Sequence, residues 1–292
     1  MQRYIITCPA DELWGIFVTS VGSQNLAPGE HYPPQNHPTR YLFEHSTGRT
    51  LDEFQLIYLA AGSGTFESNS AGALKITAGD AFILFPGEWH TYAPDPETGW
   101  KEYWIGFKGT LPCQWMQRGL ISPNAPLLHA DFSDEIIGDY DKAIDIASQQ
   151  KSSYQQALSG LAVKLVTEVL YHARNKVFTE ARSDGQMLRA KNFISSREGN
   201  TSPEEVASVI GMGYSRFRKL FKDYSGFSPA KYILEIRMAK ARELLVNTDM
   251  QIQEIAWKLG FSNADYFSTT FKRICTITPN EHRAKFQFIE SE

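Results

Sequence analysis

Apolar positions along the chain change their period twice. Between Leu51 and Gly109 they fall in short aromatic and β-branched runs, LDEFQLIYLAAGSGTF (51–66), ALKITAGDAFILFPGEWHTYAP (73–94) and WKEYWIGFKG (100–109), broken by Gly, Pro and Asp. Runs of this length between turn formers predict hairpins of a sandwich or small barrel, so residues 1–130 read as β-rich. Over residues 133–178 the period lengthens. Leu158, Leu161, Ala162, Leu165, Val166, Val169 and Leu170 recur at i, i+3, i+4, i+7 and i+8 spacing, which predicts an amphipathic helix. That stripe has two outlets, the barrel of its own subunit or a second subunit, and both stay open. TEARSDGQ (179–186) has no apolar period and holds a Ser-Asp-Gly turn signal, so it predicts a linker between a domain at 1–178 and another at 187–287.

Everything from residue 187 onward reads as helical, with starts marked by caps. Ser202-Pro203-Glu204-Glu205 places a capping Ser, a Pro at the first helical position and Glu at the third; Thr278-Pro279-Asn280-Glu281 repeats the arrangement, and Ser228-Pro229 gives part of it. The region is internally duplicated. Ala207-x-x-x-Gly211 returns 49 residues later as Ala256-x-x-x-Gly260, and Phe217, Phe221-Lys222 and Pro229 return 50 residues later as Phe267, Phe271-Lys272 and Pro279. The one-residue drift falls in the turn, where insertion is cheapest.

Each copy makes sense as a helix-turn-helix. A first helix (203–210; 252–259) needs a small Ala on its inner face so that the second can cross closely, and Gly ends it in a backbone geometry other residues resist. The second helix (about 214–224; about 263–273) buries Phe217, Leu220 and Phe221, or Phe267, Thr270 and Phe271, leaving its opposite face free for a major groove. In the first copy that face is Ser215, Arg216, Arg218, Lys219 and Lys222, which can fork onto guanine edges or hold phosphates. In the second it is Asn263, Ala264, Asp265, Ser268, Thr269, Lys272 and Arg273, a less basic set, so the first copy is expected to dominate affinity.

Charge sharpens this picture. The chain carries a net −4, but residues 187–287 hold 16 Lys+Arg against 10 Asp+Glu, while residues 1–186 hold 13 against 21. A basic third on an acidic body is the footprint of a phosphate-binding module.

At these residues a resemblance enters. GYSRFRKLFKDYSGFSPAKYILEIRMAKARELL, followed by IQEIAWKLGFSNADYFSTTFKRICTITPNEHR, resembles the DNA-binding domain of the AraC/XylS family of transcription regulators. The resemblance implies a seven-helix domain that binds double-stranded promoter DNA, with Ser215, Arg218, Lys219, Ala264, Asp265 and Thr269 at base-reading positions. Two departures are visible: Thr276 stands where the family usually has Gly, and Thr269 where many members carry Arg. A homodimer, and RNA polymerase as a further partner, are family expectations.

The N-terminal part resembles the cupin-like effector domain of sugar-responsive members, through Ala78-Gly79-Asp80, Phe85-Pro86-Gly87-Glu88-Trp89-His90 and Trp100-Lys101-Glu102-Tyr103-Trp104. The expected architecture is thus a two-domain α+β chain: a cupin-like, effector-binding β-barrel with accessory helices, a helical dimerisation segment at about 133–178 among them, and an all-α domain with two helix-turn-helix units. Strand alternation places His90 and Tyr92 on one face, and Glu102 and Trp104 on one face. If these faces point inward, they present an imidazole, a phenol, a carboxylate and an indole, a set suited to a polyhydroxylated ligand. Arg49 joins them from its position in the resembling sequences, while Trp89 and Tyr103 read as packing residues. The blander reading makes Tyr92 and Trp104 core aromatics and turns Glu102 to water.

No HxH motif exists, and His31, His37, His45 and His90 are dispersed, so neither a metal nor another cofactor is expected. Without a nucleophile constellation or a phosphate loop, binding is a better reading than catalysis. Cys8, Cys113 and Cys275 suggest no disulfide framework and fit a reducing cytoplasm. The N-terminus shows no secretory signal pattern, and no apolar run approaches the roughly 20 residues that span a bilayer. Two rivals stay open: a cupin enzyme with a helical appendage, and a ligand-independent DNA binder.

Overall fold

Period-two alternation organises the first half of the chain into strands with two different faces. A computed structural model describes residues 2–32, 45–180 and 183–286. They fall into two units, Met1–Val177 and Phe178–Glu292. The first unit runs β1 (Gln2–Tyr4), α1 (Pro9–Glu12), β2 (Phe17–Leu26), β3 (Arg49–Thr50), β4 (Phe54–Ser68), β5 (Gly72–Thr77), β6 (Asp80–Leu84), β7 (Trp89–Pro94), β8 (Trp100–Lys108), α2 (Thr110–Gln117), β9 (Leu127–His129), α3 (Asp134–Gln149) and α4 (Tyr154–Glu180).

Its main path is antiparallel, in the order β1-β2-β8-β4-β6-β9. The 15-residue β4 belongs to two layers. Its first part pairs with β6 and β8, and from Ser63 onward it pairs with β5 and β7, which also carries β3. Gly62 sits at the changeover with φ +84°, and a Cβ there would lie 2.1 Å from the Gly99 carbonyl oxygen, so only glycine fits. Among the described residues the path ends at β1 and β9, so the barrel expected from sequence takes the form of an open, jelly-roll-like sandwich.

Alternation sorts the side chains into two cores. Ile57, Leu59, Phe66, Ile76, Phe82, Leu84, Trp100 and Trp104 point between the layers. Phe54, Leu56, Tyr58, Ile83, Tyr103, Ile105 and Phe107 point to the outer face, where α3 and α4 cover them. The stripe from Leu158 to Val169 is buried in that outer core against its own sheet, with Leu170 only partly buried at its end. Polar residues lock the helices down. The Gln155 amide pairs with both Val18 N–H (3.0 Å) and Val18 C=O (2.8 Å), beside the bulge in β2, and Tyr140 Oη donates to the Leu56 carbonyl at 3.0 Å.

The second unit is helical: α5 (Asp184–Ser196), α6 (Pro203–Val209), α7 (Tyr214–Ser225), α8 (Pro229–Asn247), α9 (Ile252–Lys258), α10 (Ala264–Cys275) and α11 (Pro279–Phe286). Helical backbone covers most of the 179–186 segment read as linker, since α4 runs to Glu180 and α5 starts at Asp184; residues 181–182 lie outside the described residues. The caps act as their sequence implies. Ser202 and Ser228 accept from the N–H of Glu205 and Lys231, and Thr278 and Glu281 form a reciprocal capping box.

Two separate cores divide the unit. Met187, Ile194, Val206, Phe217 and Phe221 pack with Ile233 of α8; Met238, Ala241, Leu244 and Leu245 of the same helix pack with Ile255, Leu259, Phe267 and Phe271. The α8 helix is therefore shared. Arg237, near its middle, donates to the carbonyls of Gly199 (2.7 Å) and Thr201 (3.3 Å), and its guanidinium lies 5.7 Å from the Phe261 ring centre, fastening one half to the other.

Candidate functional site

Inside the sandwich, three strands bring polar groups onto one wall. The antiparallel register sets Arg49 of β3 opposite His90 of β7, and alternation along β7 puts Tyr92 on the same side. Arg49 Nε approaches His90 Nε2 at 3.3 Å, and its Nη2 donates to Tyr92 Oη at 2.8 Å. Alternation along β8 contributes Trp100, Glu102 and Trp104. All of His90, Tyr92, Glu102 and Trp104 are less than 10% exposed, so Glu102 does not face water.

Burial in this wall changes proton affinities. It pushes the Glu102 carboxyl up to about 8, against a smaller opposing pull from Arg49. It pulls His90 down to about 4, and Arg49 adds to that effect. At neutral pH the wall therefore presents mostly protonated Glu102, neutral His90 and the Arg49 cation. Such a set both donates and accepts hydrogen bonds while carrying little charge, and aromatic faces stand beside it.

Five contributors were not singled out from the sequence. Tyr32 stacks edge-on against Trp100 (5.4 Å between ring centres) and hydrogen-bonds the Tyr92 hydroxyl; Trp100 Nε1 is buried without a hydrogen-bond partner among the described residues. Next to Trp104, Ser20 and Gln55 flank Gly106 across the sheet, with Glu53 bonded to the Gln55 amide at 2.8 Å. Trp100 was within reach of the same two-residue period that marks Glu102 and Trp104. Tyr32 carried no such signal. Trp89 and Tyr103 are packing residues: Trp89 Nε1 donates to the Thr47 carbonyl, and Tyr103 packs on Tyr140. Among the described residues no group of His, Cys, Asp and Glu is gathered to hold a metal ion; His37 lies outside them.

In the helical unit, each second helix turns its phenylalanines inward and a polar face outward. Along α7, Phe217 and Phe221 are fully buried, whereas Ser215, Arg216, Arg218, Lys219 and Lys222 are all exposed. Along α10, Phe267, Thr270 and Phe271 are buried, and Asp265, Thr269, Lys272 and Arg273 are exposed. Two members of the second set are otherwise engaged. Asn263 is the cap of α10, its Oδ1 accepting the Tyr266 N–H at 2.7 Å, and Ala264 packs partly into the core. Exposed Tyr214 and Tyr266, at the starts of the two helices, join the outward faces although the sequence reading passed them over.

The copies also end differently. Gly226 closes α7 at φ +77°, and Thr276 closes α10 at φ +67°. A β-branched residue in that left-handed region is strained by about 1–2 kcal/mol.

Residues 22–175 match the AraC-like ligand binding domain, and residues 206–285 match a helix-turn-helix domain. The chain is similar to the lactose operon transcription activator of Staphylococcus xylosus, 27% identical over 77% of this chain and 81% of the relative. It is also similar to the arabinose operon regulatory protein of Escherichia coli, 26% identical over 70% of this chain and 72% of the relative. Among solved structures, an AraC-type DNA-binding domain protein of Chromobacterium violaceum is 35% identical over 36% of this chain and 95% of that chain, with a TM-score of 0.34. With a ligand-binding domain across most of the sandwich unit and a helix-turn-helix domain in the helical one, the chain belongs to the AraC family of effector-controlled, DNA-binding transcription regulators.

Proposed function

We propose that the effector is a sugar, held between the layers of the sandwich by Arg49, His90, Tyr92 and Glu102 and stacked on Trp104. The observation that carries this reading is the buried wall itself. It gathers hydrogen-bonding groups of both senses and two indoles among buried apolar side chains, the combination that fixes hydroxyls and covers the C–H faces of a pyranose. The relatives named for lactose and arabinose operons agree with that chemistry.

On the DNA side, Ser215, Arg216, Arg218, Lys219 and Lys222 form the stronger reading head. Asn263, Ala264, Asp265, Thr269, Lys272 and Arg273 form the weaker one, Asn263 serving chiefly to set the start of α10. The regulator works in the cytoplasm as a homodimer that engages RNA polymerase at its promoter, and it catalyses no reaction. The α4 stripe is spent within one subunit, so the dimer uses another surface.

Thermal melting of the full-length protein against mono- and disaccharides, sugar acids and common metal ions tests the sensor reading. A matching sugar at about 100 times its Kd stabilises the unit it binds by about 2.7 kcal/mol, and Glu102→Gln together with Tyr92→Phe weakens that response. If no saccharide stabilises the protein, or if both variants respond as the parent does, the sugar assignment is wrong.

A further inference from the structure

A second concavity lies on the other face of the main sheet, away from the buried wall. It is a groove of about 330 Å³ between β6, β9, the loop after α2 and the C-terminal half of α4. Ile83, Ile121, Leu128 and Leu170 line it, and Leu120 at its rim is 48% exposed. The volume lies at the lower end of the roughly 300–1,000 Å³ of small-molecule sites. It equals the share of about eleven waters at ~30 Å³ each, room for a chain of eight to ten carbons and not for a folded partner.

Charge narrows the choice of occupant. Among the described residues no carboxylate lines the groove, and its polar side chains are Ser122 and Arg174. Leu170, Ala173 and Arg174 stand at i, i+3 and i+4 on α4, so the guanidinium sits beside the apolar floor. Arg174 has no hydrogen bond or ion pair among the described residues, and neither does the Arg118 side chain, next to the lining residue Gly119. An apolar trough with an unengaged guanidinium matches a ligand with a hydrocarbon body and one planar anion, which an arginine can hold through two parallel hydrogen bonds.

We infer that this groove binds a small amphiphilic carboxylate, its chain lying on Ile83, Leu128 and Leu170 and its head paired with Arg174. This is a second ligand site, and it does not rest on the sugar reading of the interior. An occupant would brace α4 at Leu170–Arg174 against β6 and β9, in the last turns before the chain passes to the DNA-binding unit.

Titration calorimetry of the full-length protein with decanoate below its micelle concentration tests the site, with decyltrimethylammonium as the opposite-charge probe. The expected result is saturable, one-to-one binding of decanoate and none of the cation. Affinity falls at least tenfold in Arg174→Gln, an exposed position whose change leaves the fold alone. It is lost in Ala173→Phe, which fills the groove, and is unchanged in Glu102→Gln. The absence of saturable decanoate binding overturns the proposal. So does binding that survives both α4 variants; if Glu102→Gln then abolishes it, the carboxylate sits in the sandwich interior instead.

Discussion

The two units place their candidate site residues in opposite environments. The sandwich turns Glu102, His90 and Tyr92 inward, each at most 5% exposed, while α7 and α10 turn Arg218, Lys219, Lys272 and Arg273 out to water. A buried wall must be held by its own packing, so its groups are coupled to the stability of the unit and to pH. An exposed face costs the fold almost nothing, and its strength appears only against a polyanion and in its dependence on salt. Sensing and reading are therefore expected to fail in different ways when residues are changed.

The widest gap concerns stability. Trp104→Ala should remove about 3–5 kcal/mol from the sandwich unit, whereas Lys219→Ala should stay within about 0.5 kcal/mol. Hydrogen exchange read separately over β8 and α7 checks both. Comparable losses at the two sites would erase the contrast.

The buried wall should also reveal itself through pH. The proton affinity of folded Glu102 is raised, so the folded state keeps a proton that the unfolded chain has already released, and stability falls as pH rises toward 8. His90 acts oppositely: its folded value lies below 6.5, so stability is gained as pH rises from about 4 to 6.5. Between pH 6.5 and 8 Glu102 acts alone, with a slope of up to about 1.4 kcal/mol per pH unit. Denaturation of the sandwich unit across that window should show the decline, and Glu102→Gln should flatten it. A parent protein with no decline would mean that the carboxyl is not held neutral.

On the exposed side, Arg218→Ala should cost about 1–3 kcal/mol of binding on the specific site if it reads a base. Thr269→Ala should cost less, because a hydroxyl cannot make the same forked contact. Binding titrations on operator and scrambled DNA at one salt concentration separate the cases. An equal loss on both DNAs assigns Arg218 to phosphate, and a larger effect at Thr269 reverses the ranking of the heads.

The smallest expected change isolates backbone strain from function. Thr276→Gly should stabilise the second head by about 1 kcal/mol without altering its outward face. Exchange of the last α10 amides measures it. If they are no better protected, the strain is relieved elsewhere.

Much of the helical unit was legible because its signals are local: Ser202 and Thr278 mark starts, Gly211 and Gly260 mark ends, and the duplication checks each reading against its twin. The segment read as linker is largely helical for a related reason. The Ser-Asp-Gly that suggested a turn stands at the start of α5, since turn formers are also helix starters. In the sandwich, the two-residue period identified His90, Tyr92, Glu102 and Trp104 as face-sharing groups, but no local pattern says which face closes on the other layer. Tyr32 reaches the wall from a segment without any period. The groove beside Arg174 was invisible, because its walls come from β6, β9, a loop and α4, which only the fold assembles.

The pairing of β2 with β8 also bears on how the protein folds. Even its nearest pair, Leu26 with Trp100, closes a loop of about 70 residues before that ladder rewards it. The helices of the second unit pack mainly against near neighbours along the chain. Distant pairing slows folding and local packing speeds it, so when both units are released together from the denatured state the DNA-reading half should form ahead of the sensing half.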